Sequence, residues 1–355
     1  MKKRRVKQYV LLFIFALLVL VSCTRGKQSS AAKESTREKV TIGFSLATDT
    51  FIIERWNKDI KIFTNEAKQL GAEVILQLSA GGTQEQISQI QYLLDQGIDI
   101  LVVIAHDTEM LAGVIGTVNQ KKIPVIAYDR LIQGVPVTAY VSFDNREVGR
   151  LFGRALIEKV PQGNYLIVNG SVNDDNSYEV NAGLYEILNP FVESKKIRVV
   201  EEIWLNEWDF DEAKEKIGAV LERTTNIDAI SAGNDQIASA AIQLLSERRM
   251  AGTVAVVGQD ADLISCQSVV EGLQLMTVYK PIDRLAIRAA RLAVDLVEGR
   301  MSQPDMYRDN NSEEPIPFFM EVPYAVFKHN MDDTIIRDGF HSAADVYRNL
   351  NIEKK

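Results

Sequence analysis

From Lys39 onward, runs of apolar and β-branched residues alternate with stretches whose apolar residues recur every three or four positions. The runs are KVTIGFSLA, AEVILQLS, ILVVIA, IPVIAYD, YVSFD, NYLIVNG, IRVVEEIWL, IDAISAG, VAVVGQD and LQLMTVYK, and they predict ten strands. Helical stretches lie between most of them. ERWNKDIKIFTNEAKQLG places Ile60, Phe63, Ala67 and Leu70 on one face and ends at Gly71, and DEAKEKIGAVLERT is a second such helix. Strands that are apolar throughout, each followed by a helix, imply parallel sheets covered on both faces, an α/β fold. Ten strands are many for one open sheet, so two sheets of about five are expected. The division falls near residues 142–145, where YVSFDN interrupts the pattern. The tail, FFMEVPYAVF and then IIRDGF, predicts short strands that cross back, making a hinge of several strands rather than one linker.

The N-terminus has a different pattern. MKKRRVKQ is a basic region, and YVLLFIFALLVLV is an apolar run too short to span a bilayer comfortably. It ends in LVSC, which matches the bacterial lipobox, so residues 1–22 read as a lipoprotein signal peptide and Cys23 as the lipidated residue. The alternative is an ordinary N-terminal anchor with a chance cysteine. Residues 23–38, polar and without aromatics, read as a flexible tether. The implied location is the periplasmic or extracytoplasmic face of the cell membrane.

Charge narrows the partners. The chain carries −8, and residues 1–22 hold five Lys or Arg and no acid, so the mature chain carries −13. An acidic exterior argues against nucleic acid, whose phosphates need basic side chains. There are two cysteines; with Cys23 lipidated, Cys266 has no partner for a disulfide and reads as a small core residue of a helix.

In open α/β sheets, ligands bind beyond the carboxyl ends of the strands. Residues there include Asp129 with Arg130, Asp144 with Asn145, Asn169 to Asn176, Trp208, Asn234 with Asp235, Asp260 and Lys280, while Arg55 and Trp56 begin the first helix. Carboxylates accept from sugar hydroxyls, Arg, Lys and Asn donate to them, and indoles cover C–H faces. Together they suit a neutral polyol. A phosphate site would need glycine-rich loops opening helices; SAGGTQEQ lacks that spacing, and Thr83 reads as a helix N-cap. Each residue also has a plain structural reading. Asp and Asn at strand ends often cap helices, Asp129 and Arg130 would make a surface ion pair, and Trp56 and Trp208 would fill core, with Trp204 the stronger core candidate.

The motifs IERWNKD, AYDR, YVSFDN, VPQGNY, NDDN, NEW, AGND, VGQDADL, MTVYKP and DTIIRDGF, in this order and spacing, resemble the ribose/galactose-type periplasmic sugar-binding proteins of bacterial ABC transport, and among them the D-xylose-binding group. The resemblance runs from about Lys39 to the C-terminus. It implies the periplasmic-binding-protein fold: two Rossmann-like lobes joined by a three-strand hinge, residues 39–143 with 282–323 forming one lobe and 144–281 with 324–355 the other. It also implies a ligand set. Arg55 and Trp56 come from the first helix, Asp129 and Arg130 from the first lobe's rim, and Asn145 from just past the crossover. Asn176, Trp208, Asn234, Asp260 and Lys280 come from the second lobe, and Trp56 and Trp208 sandwich the ring. The first loop, ATDTFII, departs from the family pattern in length and lacks a basic residue before ERW, and SVNDDNSYEV differs in detail.

The implied role is a lipid-anchored monomer that binds a D-xylose-like monosaccharide without any cofactor or metal and hands it to an ABC permease. A sugar sensor for a membrane histidine kinase is the alternative. A transcriptional repressor of this fold would need a helix-turn-helix where the signal peptide stands. An enzyme finds little support: His106, His329 and His341 are scattered without metal-ligand spacing, His341 reads as surface, and no nucleophile motif is present, so no catalytic residue is assigned.

Overall fold

The computed structural model describes residues 39–47 and 53–350; the side chains of residues 53–55 are not described. The signal peptide, Cys23, the tether and the first loop therefore lie outside the described residues. The first half of the chain runs β1 (Thr41–Ala47), α1 (Ile53–Gln69), β2 (Glu73–Ser79), α2 (Thr83–Asp95), β3 (Ile100–Ile104), α3 (Ala112–Gln120), β4 (Val125–Tyr128) and β5 (Ala139–Phe143). The second half runs α4 (Asn145–Lys159), β6 (Gly163–Ser171), α5 (Asp175–Glu193), β7 (Ile197–Leu205), α6 (Phe210–Arg223), β8 (Ala229–Ala232), α7 (Asp235–Glu247), β9 (Ala255–Gln259), α8 (Leu263–Glu271) and β10 (Met276–Tyr279). The tail adds α9 (Ile282–Val297), β11 (Met306–Arg308), β12 (Ile316–Glu321), β13 (Tyr324–Val326) and α10 (Ala343–Val346).

All ten strands expected from the apolar runs form. They build two sheets, of seven strands in the order β11-β12-β5-β4-β3-β1-β2 and six in the order β13-β10-β9-β8-β6-β7. The expectation of about five strands per sheet falls short because the tail contributes three: β12 joins β5 in parallel, β11 pairs antiparallel with β12, and β13 pairs antiparallel with β10. IIRDGF makes no strand; Asp332–Ile336 is a single π-helical turn that buries Ile335. The first five strands of each sheet repeat one topology, so β4 and β5 in the first sheet correspond to β9 and β10 in the second.

Both faces of each sheet are covered. Ile100, Val102 and Ile104 of β3 join the cluster of Phe44, Phe63 and Leu285, whereas Leu101 and Val103 join that of Ile90, Leu93 and Ile115. In the second sheet, Leu166 and Val168 pack with α6 and α7, while Tyr165 and Ile167 pack with α4 and α5. This period-two division of an all-apolar strand explains why its sequence shows no alternation. On α1, Phe63 and Ala67 are buried and Ile60 packs against the same cluster, but Leu70 lies beyond the helix end and is exposed. Gly71, at φ +83°, turns the chain there. Thr83 is not the cap of α2: it is the first helical residue, and Gly82 at φ +84° stands before it.

Three segments pass between the sheets. They are Asp144 with Asn145 after β5, Lys280 with Pro281 after β10, and Val322 with Pro323 between β12 and β13. Two of them deliver a helix to the other sheet: Val148, Phe152 and Leu156 of α4 pack in the second core, and Leu285, Ala289 and Ala293 of α9 in the first. Cys266 on α8 is fully buried, as expected of a core thiol.

Candidate ligand-binding cleft

The charged residues that end β4 are buried: Asp129 and Arg130 are 5% and 4% exposed, so a surface ion pair is not what they form. Asp129 adopts φ +64°, a region that L residues other than Asn and Asp enter rarely. Its N–H donates to Val141 O of β5 at 2.8 Å, and its carbonyl accepts from Tyr140 Oη (3.1 Å), Ser142 Oγ (2.8 Å) and Asn176 Nδ2 (3.2 Å). The corresponding residue of the second sheet, Asp260 after β9, is also left-handed, at φ +97°, and its N–H donates to Val278 O of β10 at 2.8 Å. Each sheet thus turns one aspartate back from a strand end by the same device. A non-glycine backbone in this region costs about 1–3 kcal/mol and survives only where its surroundings hold it.

Arg130 reaches two ways. Nη1 donates to Ala105 O at the end of β3 (2.9 Å), and Nε lies 3.0 Å from Asp174 Oδ2, across from the second sheet. Asp174 is the N-cap of α5, its Oδ1 accepting from the Asn176 N–H at 3.0 Å. Its Oδ2 also accepts from Trp208 Nε1 at 3.0 Å. Burial pushes the Asp174 carboxyl above its usual range, with Arg130 pulling the other way and Asp129 adding to the rise. One buried carboxylate therefore ties a guanidinium of one sheet to an indole and an asparagine of the other. Asn176 carries the network on: its Oδ1 accepts from Asn145 Nδ2 (2.7 Å) and its Nδ2 also lies 3.4 Å from Asp129 Oδ2.

Trp208 lies flat on backbone. A Cβ on Gly170 would stand 2.1 Å from its Cη2, and one on Gly233 would stand 3.2 Å from its Cζ3. Lys280 is 5% exposed and pairs with Asp260 at 3.2 Å, with its ammonium 6.0 Å from the Phe143 ring centroid. Asn234 caps α7, Oδ1 accepting from Ile237 N at 2.9 Å, so the capping reading holds for it. Trp56, in the first turn of α1, is buried in the first core cluster. The Arg55 side chain lies outside the described residues. Asn145 Oδ1 and Gln259 Oε1 are buried acceptors with no hydrogen-bond partner in the described structure.

The network joins Asp129, Arg130, Asn145, Asn176 and Trp208, and Asp260 with Lys280 forms a second pair. Asp174, Tyr140 and Ser142 also belong to the network, and the ligand set expected from the sequence does not include them. Asp174 stands in NDDN, where two acids precede a helix, and the pattern does not tell the cap from its neighbour. Trp204, expected in the core, is instead half-buried, stacked on Tyr178 at 4.7 Å between ring centroids. His341, expected at the surface, is half-buried with Nε2 2.8 Å from Ala261 O.

A cavity of about 180 Å³ opens beside the network, walled by Asp107, Thr108, Glu109, Met110 and Gln133 on one side and Val172, Asn173, Asp175 and Tyr178 on the other. Asp175 sits at this mouth with its carboxyl pushed up to about 6, first by burial and then by Glu179 and Asp174. Among the described residues, no group of three or more metal-ligating side chains gathers, and no helix is long and apolar enough to cross a membrane.

Comparison with known proteins gives this geometry a context. The family model described as a periplasmic binding protein domain matches residues 44–301. The D-xylose-binding periplasmic protein of Haemophilus influenzae is 39% identical over 333 residues, covering 94% of this chain and 98% of that protein. The D-xylose-binding periplasmic protein of Escherichia coli is also 39% identical, over 93% of this chain and 98% of its own. Among solved structures, a carbohydrate transporter solute-binding protein of Chloroflexus aurantiacus in complex with D-glucose superposes with a TM-score of 0.80 at 25% identity, covering 87% of this chain and 98% of that one. An ABC transporter solute-binding protein of Clostridium phytofermentans with bound β-D-glucose gives 0.78 at 26% identity, over 86% and 99%.

Proposed function

The chain belongs to the periplasmic sugar-binding proteins of bacterial ABC transport, and from that premise we propose that it binds D-xylose or a closely similar monosaccharide between its two lobes and delivers it to a permease. The observation that carries this reading is the buried strand-end network, in which Asp174 ties Arg130 of the first sheet to Trp208 and Asn176 of the second. A ligand held by such groups touches both lobes at once, so it favours the closed arrangement over any open one.

The charge balance favours a neutral ligand. Arg130 pairs with Asp174 and Lys280 with Asp260, and the Asp129 carboxylate lies 3.4 Å from the neutral amide of Asn176. Two cations of the proposed ligand set, Arg130 and Lys280, thus each have a carboxylate partner, which disfavours a sugar phosphate or a sugar acid. A hydroxyl, by contrast, donates to Asp129, and other hydroxyls donate to the buried oxygens of Asn145 and Gln259. Hydrogen bonds to charged groups contribute roughly 1.5–3 kcal/mol each, and the Trp208 face adds apolar area against sugar C–H groups. No step of this account breaks a bond: the protein binds, excludes water and closes.

The two lobes, discontinuous in sequence, rock about the three segments at residues 144–145, 280–281 and 322–323. Cys23 carries lipid and residues 23–38 tether the binding module to the membrane surface. The relatives named for D-xylose support that sugar first. Calorimetric titration with D-xylose, other aldopentoses and aldohexoses tests the reading: D-xylose binding one to one and tighter than the hexoses supports it, and the absence of binding to every sugar in the set rejects it. For the anchor, Cys23→Ser is expected to abolish labelling by radioactive palmitate and move the protein out of the membrane fraction; a variant that is still acylated contradicts it.

A further inference from the structure

The motif DGFH, residues 338–341, lies far in sequence from every residue of the proposed site, yet it returns to the end of β9. There the backbone is left-handed twice in succession, at Asp260 (φ +97°) and at Ala261 (φ +55°), neither of them glycine. Such a turn persists only if held from several sides. Its N–H groups are held from within: Asp260 N donates to Val278 O, and Ala261 N donates to Thr277 Oγ1 at 3.2 Å. Thr277 in turn donates to the buried Asp235 carboxylate at 2.7 Å, which also accepts from the Asp262 N–H at 3.0 Å. The carbonyl side is held by the tail. Ala261 O is 2.8 Å from His341 Nε2, with the weaker donor Cys266 Sγ at 3.4 Å. A carbonyl oxygen has no proton to give, so Nε2 carries the hydrogen and donates.

We propose that His341 is a positioning residue for the ligand site, fixing the Asp260 turn so that the carboxylate meets Lys280 in the cleft. The His341 ring is itself fixed, edge-on to Phe340 at 4.7 Å between centroids. Phe340 packs on Tyr279 of β10 at 5.0 Å, next to Lys280 in sequence, and takes the Lys58 ammonium of α1 over its face at 4.8 Å. The tail thus braces both members of the Asp260 and Lys280 pair from behind, through His341 on one strand end and Phe340 on the other. The inference rests on the reading of Asp260 and Lys280 as ligand contacts.

Two substitutions separate positioning from bulk packing. His341→Gln keeps an N–H donor at a similar reach; His341→Phe keeps a ring and removes the donor. With D-xylose as the titrant and the full chain as the protein, affinity is expected to fall about tenfold or more in His341→Phe and to stay within about threefold of wild type in His341→Gln. Amide hydrogen exchange, read on the sugar-free protein, is expected to quicken in His341→Phe at residues 260–262 while the other strand ends keep wild-type protection. If the wild type binds none of the sugars tested, the site reading fails, and the exchange comparison still decides whether His341 holds the turn. Unchanged exchange at residues 260–262 in His341→Phe overturns the proposal, as does an equal loss of affinity in both variants.

Discussion

Asp129 decides between a structural and a ligand-binding account of the cleft. Its backbone conformation suits asparagine as well as aspartate, so Asp129→Asn leaves the turn and the three bonds to its carbonyl in place. The change puts an N–H₂ where one carboxylate oxygen stood, and one donor then faces a sugar hydroxyl. Affinity for D-xylose is expected to fall ten- to a hundredfold, about 1.4–2.8 kcal/mol, while the melting temperature without sugar holds or rises; a lower melting temperature with unchanged affinity contradicts this. Trp208 permits a complementary test on its neighbour. Gly170→Ala drives a methyl into a rigid indole that Asp174 already pins. Calorimetry is expected to show at least a tenfold loss of affinity, and unfolding curves a destabilisation of about 1–3 kcal/mol from overpacking. Normal affinity in this variant would remove the indole from the site. These residues differ in how far the sequence reveals them. Asp129, Arg130, Asp260 and Lys280 stand out because a charge follows directly on an apolar run. Asp174 does not, because its partners Arg130 and Trp208 are distant in sequence and the residue is also an ordinary helix cap. Of the two indoles near β7, Trp204 is the one misjudged: β7 is an edge strand and Trp204 stacks on Tyr178 rather than filling the core, whereas Trp208 lies past the strand end and folds back onto two glycines.

At the scale of elements, the main strands follow from periodicity, since each of the ten apolar runs between Lys39 and Lys280 found a place in a sheet, whereas IIRDGF in the tail did not. The number of strands per sheet does not follow, because β11, β12 and β13 are three to six residues long and their assignment depends on which edge the tail meets. The N-terminus of α5 brings a titration. Burial first, then Glu179 and Asp174, push the carboxyl of Asp175, in the first turn of that helix, up to about 6 from the 3.8 of a free aspartate, with Arg308 opposing. A carboxyl whose value is raised on folding binds its proton more tightly in the native state. Its ionisation therefore weakens the fold as pH rises from about 4 to about 6, and the cost is constant above that. Asp175→Asn removes it. The variant is expected to melt higher than wild type at pH 7–8, with the gap closing as pH falls to about 4; thermal unfolding across this range checks the result, and a gap that does not change with pH contradicts the assignment.

The whole molecule brings together what no element holds alone. Arg130 with Asp174, Asn176 with Asp129, and Arg308 of β11 with Glu179 of α5 at 2.6 Å all join one sheet to the other. A ligand that bonds to both sides would stabilise such an arrangement by its difference in affinity between it and a more open form. Closure on the sugar is the central claim, and small-angle X-ray scattering of the mature protein titrated with D-xylose tests it most directly. A closed chain of this size has a radius of gyration of about 20 Å. The account predicts a larger radius without sugar and a saturable fall to about that value as D-xylose is added, following the calorimetric isotherm. Tight D-xylose binding with no change in radius would contradict it.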